Sequence, residues 1–171
     1  MPLKFVCVNL WMGGKLFDNL LAFLRRERPD ILIAQEAYGS RDPAASQRFR
    51  STSVFADALG LPHVSFAPAF QNILPEGTFE NGNAILSKFP IVGQRTVFHD
   101  VPYQPMNLQG ASDFSRVPRN LQHAVVDCEG TAVNVFNTQG IWGFDGDDNE
   151  RRLAMSDTIV REIAAKPSVI L

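Results

Sequence analysis

Two polar residues stand at the ends of two apolar segments near the N-terminus. Asn9 closes the segment that begins at Lys4, and Glu36 follows four consecutive apolar residues, 31–34. A carboxylate at the end of a buried strand is costly unless a cation or a hydrogen-bond donor meets it. Glu36 is therefore either an ordinary strand end that reaches water or one half of a metal site.

The elements around these two residues are predicted to form a strand–helix–strand unit. Residues 4–11 and 30–34 have the composition of strands, and the segment between them carries apolar residues at helical spacing: Phe17, Leu20, Leu21 and Leu24. Strands joined by one crossover helix run parallel, so Asn9 and Glu36 meet at the sheet edge where α/β proteins bind ligands. Their oxygens suit Mg²⁺ or Mn²⁺. The alternative is that Asn9 satisfies loop backbone and Glu36 faces water.

Composition limits the class of protein. The chain has 171 residues, 45% hydrophobic and 20% charged, with a formal net charge of −2, which suits one globular domain. This net charge argues against a protein that binds nucleic acid mainly through a positive electrostatic field, but it is compatible with nucleic-acid binding at a local site. Cys7 and Cys128 lie in apolar runs and are expected to be buried free thiols, as in a reducing cytoplasm. Without a signal peptide or an apolar run of about 20 residues, a soluble cytoplasmic protein is predicted.

The rest of the chain predicts further elements. We expect a helix over 42–61 begun by Asp42, a strand over 63–70, a loop over 71–82, one or two strands over 82–101 bent at Pro90, and a hairpin over 120–137 that turns at Glu129 and Gly130. Residues 102–120 form a loop too long for a mere connection and are a candidate binding loop. A loop over 138–150, a helix over about 149–166 capped by Asp148, and a strand over 168–171 close the chain.

The two ends of the chain resemble each other. Each runs strand, asparagine and tryptophan, helix, proline and apolar strand, with Asn9 and Trp11 in one copy and Asn137 and Trp142 in the other. Either two half-domains face each other or the likeness is chance. In this alignment the counterpart of Glu36 falls beyond the last residue, inside an apolar strand. We therefore expect 1–171 to be a single but incomplete domain.

Four segments together resemble the endonuclease/exonuclease/phosphatase superfamily, whose members are similar to deoxyribonuclease I. They are VNLW, RPDILIAQE, GNAILSKFPI and VNVFNTQGIW. The resemblance runs from residue 4 to 171 and implies a four-layer α/β sandwich, with two mixed β-sheets flanked by helices, here lacking its last strands. It also implies hydrolysis of a phosphate ester with Mg²⁺ or Mn²⁺ at the upper edge of both sheets.

The resemblance assigns roles to individual residues. Glu36 becomes the metal ligand and Asn9 its neighbour in the site. Arg119 resembles a family arginine whose fork holds phosphate, although a solvated residue at a strand start is the alternative. The other candidate substrate-binding residues are Asn83, Asn137 and Trp142. The alternative for Asn83 is that it only stabilises a turn, and the alternative for Trp142 is that it only packs at the rim of the site.

Position 139 departs from the family pattern. Family members usually have histidine where this chain has Gln139, which can donate to a phosphate oxygen but cannot carry a proton. The family's later Gly-Asp-Phe-Asn motif, which orients the attacking water, is absent, as is a late Asp-His pair. The chain alone is therefore expected to be inactive, with a completing C-terminal polypeptide as its expected partner.

Two hypotheses from different classes remain. The first is a divalent-metal-dependent hydrolase, a phosphodiesterase, nuclease or phosphatase, in which water attacks the phosphate in line. Its substrate would be nucleic acid, a phospholipid head group or a small phosphodiester. The second is a non-catalytic relative or fragment that binds phosphorylated ligands or a partner protein. Gln139 favours the second hypothesis, and Glu36 favours the first.

Overall fold

The computed structural model describes residues 2–143, 146–164 and 166–171, and within these ranges the strands form two mixed sheets. The first contains β1 (Phe5–Asn9), β2 (Ile31–Tyr38), β3 (His63–Leu74), β4 (Gly77–Ser87) and β6 (Pro105–Met106), in the order β1-β2-β4-β3-β6. The second contains β5 (Ile91–Phe98), β7 (Asn120–Cys128), β8 (Thr131–Thr138) and β9 (Val169–Ile170), in the order β5-β7-β8-β9. The helical elements are α1 (Trp11–Gly14), α2 (Phe17–Glu27), a 3-10 turn (Gln47–Arg50), α3 (Ser51–Leu59) and α4 (Glu150–Ile163).

Alternation along β2 explains how the layers stack. Ile31 and Ile33 face the second sheet, whereas Leu32 and Ala34 face α2 and α3 on the other side. Because both faces of β2 are covered, its sequence is a continuous apolar run. Helix α4 contacts the second sheet through an ion pair between Arg95 and Glu162, 3.1 Å apart. The predicted four-layer α/β sandwich of two mixed sheets flanked by helices is confirmed.

The two predicted strand–helix–strand units are present, one in each sheet. Strand β1 pairs in parallel with β2, and β8 pairs in parallel with β9 after α4. The predicted hairpin over 120–137 is also present as the antiparallel pair β7 and β8. The internal likeness of the chain ends thus corresponds to two similar units.

The predicted loop over 71–82 is wrong. Strands β3 and β4 extend through it as one antiparallel hairpin, with Leu74 opposite Gly77. The prediction failed because the glycines and Pro75 imitate a loop, and because Asn72 and Asn81 are buried polar residues that interrupt the apolar pattern. Position 90 separates two strands, β4 and β5, that belong to different sheets.

Two predicted helix starts are also wrong. Asp42 accepts a hydrogen bond from the Ala44 main-chain nitrogen at 2.9 Å in a local turn, and the α-helix begins only at Ser51. The cap of α4 is Asn149, whose Oδ1 accepts from the Arg152 main-chain nitrogen at 3.1 Å, rather than Asp148. Short polar side chains compete for both roles, and the local sequence does not decide between them.

The two cysteines differ in their exposure to solvent. Cys128 is buried as expected, but Cys7 is exposed because β1 is the edge strand of its sheet. Of the predicted loop over 138–150, residues 144 and 145 lie outside the described ranges, as does residue 165 of the last predicted helix. Among the described residues, no helix has both the length and the apolarity needed to cross a lipid bilayer.

Candidate active site

Buried amide side chains separate the apolar core between the sheets from one edge of the sandwich. Alternate residues of a strand share a face, so an inward-facing row can be followed along each strand. The rows run from apolar to polar toward the edge where β1 and β2 end. One row is Val135 and Asn137 of β8, followed by Gln139 just past its end, and the other is Ile85, Asn83 and Asn81 of β4. This edge is where the sequence placed its candidate site.

Asn137 connects the two sheets beneath that edge. Its Nδ2 donates to the carbonyl oxygens of Ala34 at 2.9 Å and Ala84 at 3.1 Å, and its Oδ1 accepts from Gln35 Nε2 at 2.7 Å. The side chain is 2% exposed, so its hydrogen-bonding capacity is used inside the protein. The structure places Asn137 as a brace between the sheets.

Asn83 lies in the same buried layer. Its Nδ2 donates to the Asn120 side chain at 3.0 Å and to the Asn120 carbonyl oxygen at 3.1 Å, which joins β4 to β7. Asn120 in turn donates to the Pro68 carbonyl oxygen at 3.1 Å. Asn83 is therefore one layer below the edge, although the sequence predicted that it would line the site.

Glu36 reaches the edge through an irregularity in β2. The pairing with β4 shifts between Ala34 and Ala37, so that two residues of β2 oppose one residue of β4. Glu36 adopts a left-handed backbone conformation with φ of 56°. This conformation costs about 1–3 kcal/mol for a residue with a side chain and is typical of functional sites. The bulge re-aims the carboxylate, as bulges commonly do beside active sites.

Three hydrogen bonds hold the Glu36 carboxylate. Oε1 accepts from Asn9 Nδ2 at 3.0 Å and from Gln139 Nε2 at 2.8 Å, and Oε2 accepts from the Met12 main-chain nitrogen at 2.8 Å. The Asn9 Oδ1 atom accepts from the Trp11 main-chain nitrogen at 2.8 Å, which sets the amide to donate toward Glu36. The structure thus brings Asn9, Glu36 and Gln139 into direct contact.

Arg119 extends this network onto the second sheet. It precedes β7, and its Nη1 donates to Gln139 Oε1, so that Gln139 connects Arg119 to Glu36. Burial lowers the pKa of the Arg119 guanidinium, and the nearby Glu36 charge opposes that change. Arg119 nevertheless remains cationic, since arginine is not deprotonated in proteins. The Arg119 Nε atom is closed off from solvent and has no hydrogen-bond partner.

These residues line a cleft of about 410 Å³. Its charged side chains are Lys15, Glu36 and Arg119, and the amides of Asn81 and Gln139 join them. The remaining wall is apolar or aromatic and consists of Trp11, Met12, Phe70, Leu108, Phe114, Val117 and Trp142.

The candidate binding loop over 102–120 and the predicted Trp142 both contribute to this apolar wall. Leu108, Phe114 and Val117 come from the loop. The rings of Phe114 and Trp142 meet edge to face with centroids 5.7 Å apart, a geometry that aromatic pairs favour.

The oxygen atoms at this edge fit a divalent cation through Glu36. A carboxylate offers about four lone-pair sites, and three are used, which leaves one on Oε2. Mg²⁺ and Mn²⁺ accept one or two carboxylates and retain water ligands. Among the described residues, no cluster of three or more His, Cys, Asp or Glu side chains forms a cage. The Asn9 oxygen already accepts a bond from Trp11, so Asn9 is placed to orient Glu36.

Sequence reasoning missed Asn81 and Phe70. Asn81 lies in β4, within the range 71–82 that was predicted as a loop. Phe70 ends the predicted strand over 63–70, and its residue type gave no functional signal. The usable signal was the spacing of Asn81 and Asn83, because two polar residues at positions i and i+2 share one face of a strand.

Comparison with known proteins agrees with the fold. A family model described as the Endonuclease/Exonuclease/phosphatase family matches residues 7–171. Three solved structures share the fold. An endonuclease/exonuclease/phosphatase from Beutenbergia cavernae has a TM-score of 0.58 and 23% identity, covering 85% of this chain and 39% of that one. TDP2 of D. rerio, complexed with a single-strand DNA product, has a TM-score of 0.61 and 15% identity, covering 98% and 57%. Sphingomyelinase C of Streptomyces griseocarneus has a TM-score of 0.56 and 16% identity, covering 99% and 62%.

The chain spans between 39% and 62% of the length of the three solved structures, and the identities show a shared fold. No curated protein matches the chain at a significant level.

Proposed function

The chain belongs to the endonuclease/exonuclease/phosphatase family, whose members hydrolyse phosphate esters, and on that premise we propose that it carries the metal- and phosphate-binding part of a divalent-metal-dependent phosphoesterase. The observation that supports this proposal is the Glu36 carboxylate. Glu36 lies in a β-bulge with φ of 56°, and three hydrogen-bond donors orient its carboxylate. The side chain of Gln139 connects it to the cationic Arg119.

Each residue has a distinct part in the proposed reaction. Glu36 would hold Mg²⁺ or Mn²⁺, which when bound polarises the phosphate and neutralises charge as water attacks in line. Asn9 and the Met12 nitrogen fix the orientation of the carboxylate. Arg119 places a fixed positive charge where negative charge accumulates on the phosphate. Gln139 holds Arg119 and Glu36 in register, and its second amide hydrogen is available to a phosphate oxygen.

The polypeptide that activates the attacking water is also part of the proposal. The solved relatives are longer than this chain, and the sequence lacks the Gly-Asp-Phe-Asn motif that resemblance associates with that role. We therefore expect a completing segment or partner to supply the group, and we expect turnover only when it is present.

The cleft also bears on the substrate. A volume of about 410 Å³ with an apolar wall suits a phosphate ester that carries a compact apolar or aromatic substituent. A nucleotide within a nucleic acid carries an aromatic base beside its phosphate, and a phospholipid head group and a small phosphodiester are the other proposed substrates. The cytoplasm is the proposed compartment, on the basis of two free thiols.

The test compares E36Q with a matched control in the full-length protein. Glu129 has the same φ of 56° but lies exposed in the β7–β8 turn, so E129Q makes the same chemical change away from the cleft. We expect E36Q to lower Mg²⁺- or Mn²⁺-dependent hydrolysis of bis(p-nitrophenyl) phosphate by about 100-fold or more, and to weaken Mn²⁺ binding measured by calorimetry. E129Q should leave both unchanged. Metal-dependent turnover that survives E36Q would rule out the proposed role of Glu36.

A further inference from the structure

Asn81 is a buried donor without an acceptor at the wall of the cleft. Its side chain is 2% exposed, it lines the cleft, and its Nδ2 atom makes no hydrogen bond. The Tyr38 hydroxyl lies near this amide and accepts a hydrogen bond from Asn72 at 2.6 Å. A buried amide left unpaired pays its full desolvation penalty, so such a group in a folded protein requires an explanation.

The position of Asn81 in its strand adds to this observation. Asn81 follows Ile85 and Asn83 along the inward face of β4, and Asn83 satisfies its amide with Asn120. Asn81 is thus the residue of this row that reaches the cleft, and it is the one whose nitrogen is unpaired. The unpaired donor therefore belongs to a residue of the cleft wall.

A second unpaired donor lines the same cleft from the opposite sheet. Arg119 Nε has no hydrogen-bond partner and is closed off from solvent, as Asn81 Nδ2 is. Arg119 precedes β7 of the second sheet, whereas Asn81 belongs to β4 of the first. Two N–H donors without acceptors, one of them on a cation, match a ligand that only accepts hydrogen bonds and carries negative charge.

We propose that Asn81 is a phosphate-positioning residue, which together with Arg119 forms a two-donor subsite for an oxygen of the substrate phosphate. The inference rests on the proposed function for the identity of the substrate, but it concerns anion binding alone and is independent of the metal. Phosphate bound there bridges the two sheets. Arg119 provides the positive charge, and Asn81 donates a hydrogen bond that orients the phosphate.

The sign of the stability change separates this role from a structural one. If Asn81 served the fold, its replacement by an apolar residue of similar volume would destabilise the protein. If Asn81 serves a ligand, removing an unpaired buried amide is neutral or stabilising, since replacing such a group with an apolar isostere relieves its desolvation penalty. N81L is therefore expected to keep or raise the melting temperature and to weaken phosphate binding.

The experiment titrates inorganic phosphate into the wild type and N81L without metal, at constant ionic strength. Calorimetry and the phosphate-induced rise in melting temperature are the readouts. We expect the dissociation constant for phosphate to increase about 10-fold or more in N81L, the value of one hydrogen bond to a charged ligand. N72L is the matched control, because Asn72 is fully buried on the neighbouring strand and lies outside the cleft lining. N72L should change stability and leave phosphate affinity unchanged.

Two results would overturn the inference. One is equal phosphate affinity in the wild type and N81L, which would leave only water as the partner of these donors. The other is a loss of stability in N81L with unchanged phosphate binding, which would make Asn81 structural.

N81D gives an independent check, because its carboxylate preserves the shape and repels the anion, and it should weaken phosphate binding more than N81L does. Phosphate binding that is weaker in N81D than in the wild type supports the subsite. Unchanged binding in N81D refutes it. Because no step needs metal or turnover, a failure of E36Q to affect hydrolysis would refute the proposed function and leave this result standing.

Discussion

Replacing Asn137 by aspartate tests whether this residue braces the sheets or binds substrate. The change keeps the shape of the side chain but exchanges an amide nitrogen for an oxygen. In the structure that nitrogen faces three acceptors, the carbonyl oxygens of Ala34 and Ala84 and the Gln122 side chain, at 2.9, 3.1 and 3.3 Å. In N137D these acceptors lose their donor and meet a carboxylate instead.

The magnitude follows from the hydrogen bonds lost and from the buried carboxylate that replaces the donor. Each of the two bonds to the carbonyl oxygens is worth about 0.5–1.5 kcal/mol, and a buried charged group that faces acceptors adds about 1–3 kcal/mol, which gives about 2–6 kcal/mol in all. A domain of this kind has a total stability of about 5–15 kcal/mol, so N137D removes a large share of it. The penalty should shrink toward about pH 4, where a protonated carboxyl regains one donor.

Urea denaturation followed by circular dichroism measures this change. With a slope of about 2 kcal/mol per molar urea, the midpoint should fall by about 1–3 M. N149D is the control, because the same substitution at the cap of α4 keeps an oxygen that accepts from Arg152, and capping tolerates aspartate well. A midpoint for N137D within about 0.3 M of the wild type would refute the bracing role and return Asn137 to the substrate-binding candidates.

Three further predictions concern the fold around the site. A Cβ at Gly82 would lie 2.1 Å from a main-chain oxygen of β3, so G82A should strongly destabilise the protein. The control is G60A, where φ is +66° and the space is open, and its expected cost is roughly 1 kcal/mol. We expect G82A to cost several times as much as G60A. Calorimetric melting compares the two. Burial lowers the pKa of His99, so the unfolded chain binds more protons and stability should fall as pH drops below about 6.5. H99N should reduce this loss in urea midpoints measured at about pH 7.5 and 5.5, and an unchanged slope would contradict it. Burial and a hydrogen bond to Glu80 raise the pKa of Tyr103 to about 12, and burial raises that of Tyr38. Ultraviolet titration of the folded protein should therefore show no tyrosine ionising with the ordinary pKa of about 10.

The local sequence was most informative where the physics is local. Three elements are determined by residues close to one another in the sequence. They are the amphipathic helix α2, the apolar strand β2 and the turn between β7 and β8. Residues 71–82 were misread because the strand there carries glycines and buried amides. Their partners, such as the Tyr38 hydroxyl for Asn72, lie far along the chain.

The candidate site likewise combines features that follow from the local sequence with features that depend on tertiary contacts. The sequence by itself determined that Asn9 and Glu36 meet, because a crossover helix makes two strands parallel and brings their carboxyl ends to one edge. Only the tertiary structure decided that Gln139, 103 positions from Glu36, bonds to its carboxylate, and that Asn137 lies below the cleft while Asn81 lines it. Those placements depend on how two sheets pack and on where a bulge shifts the register of β2. Both are properties of contacts between distant segments, which no local pattern of residue types contains.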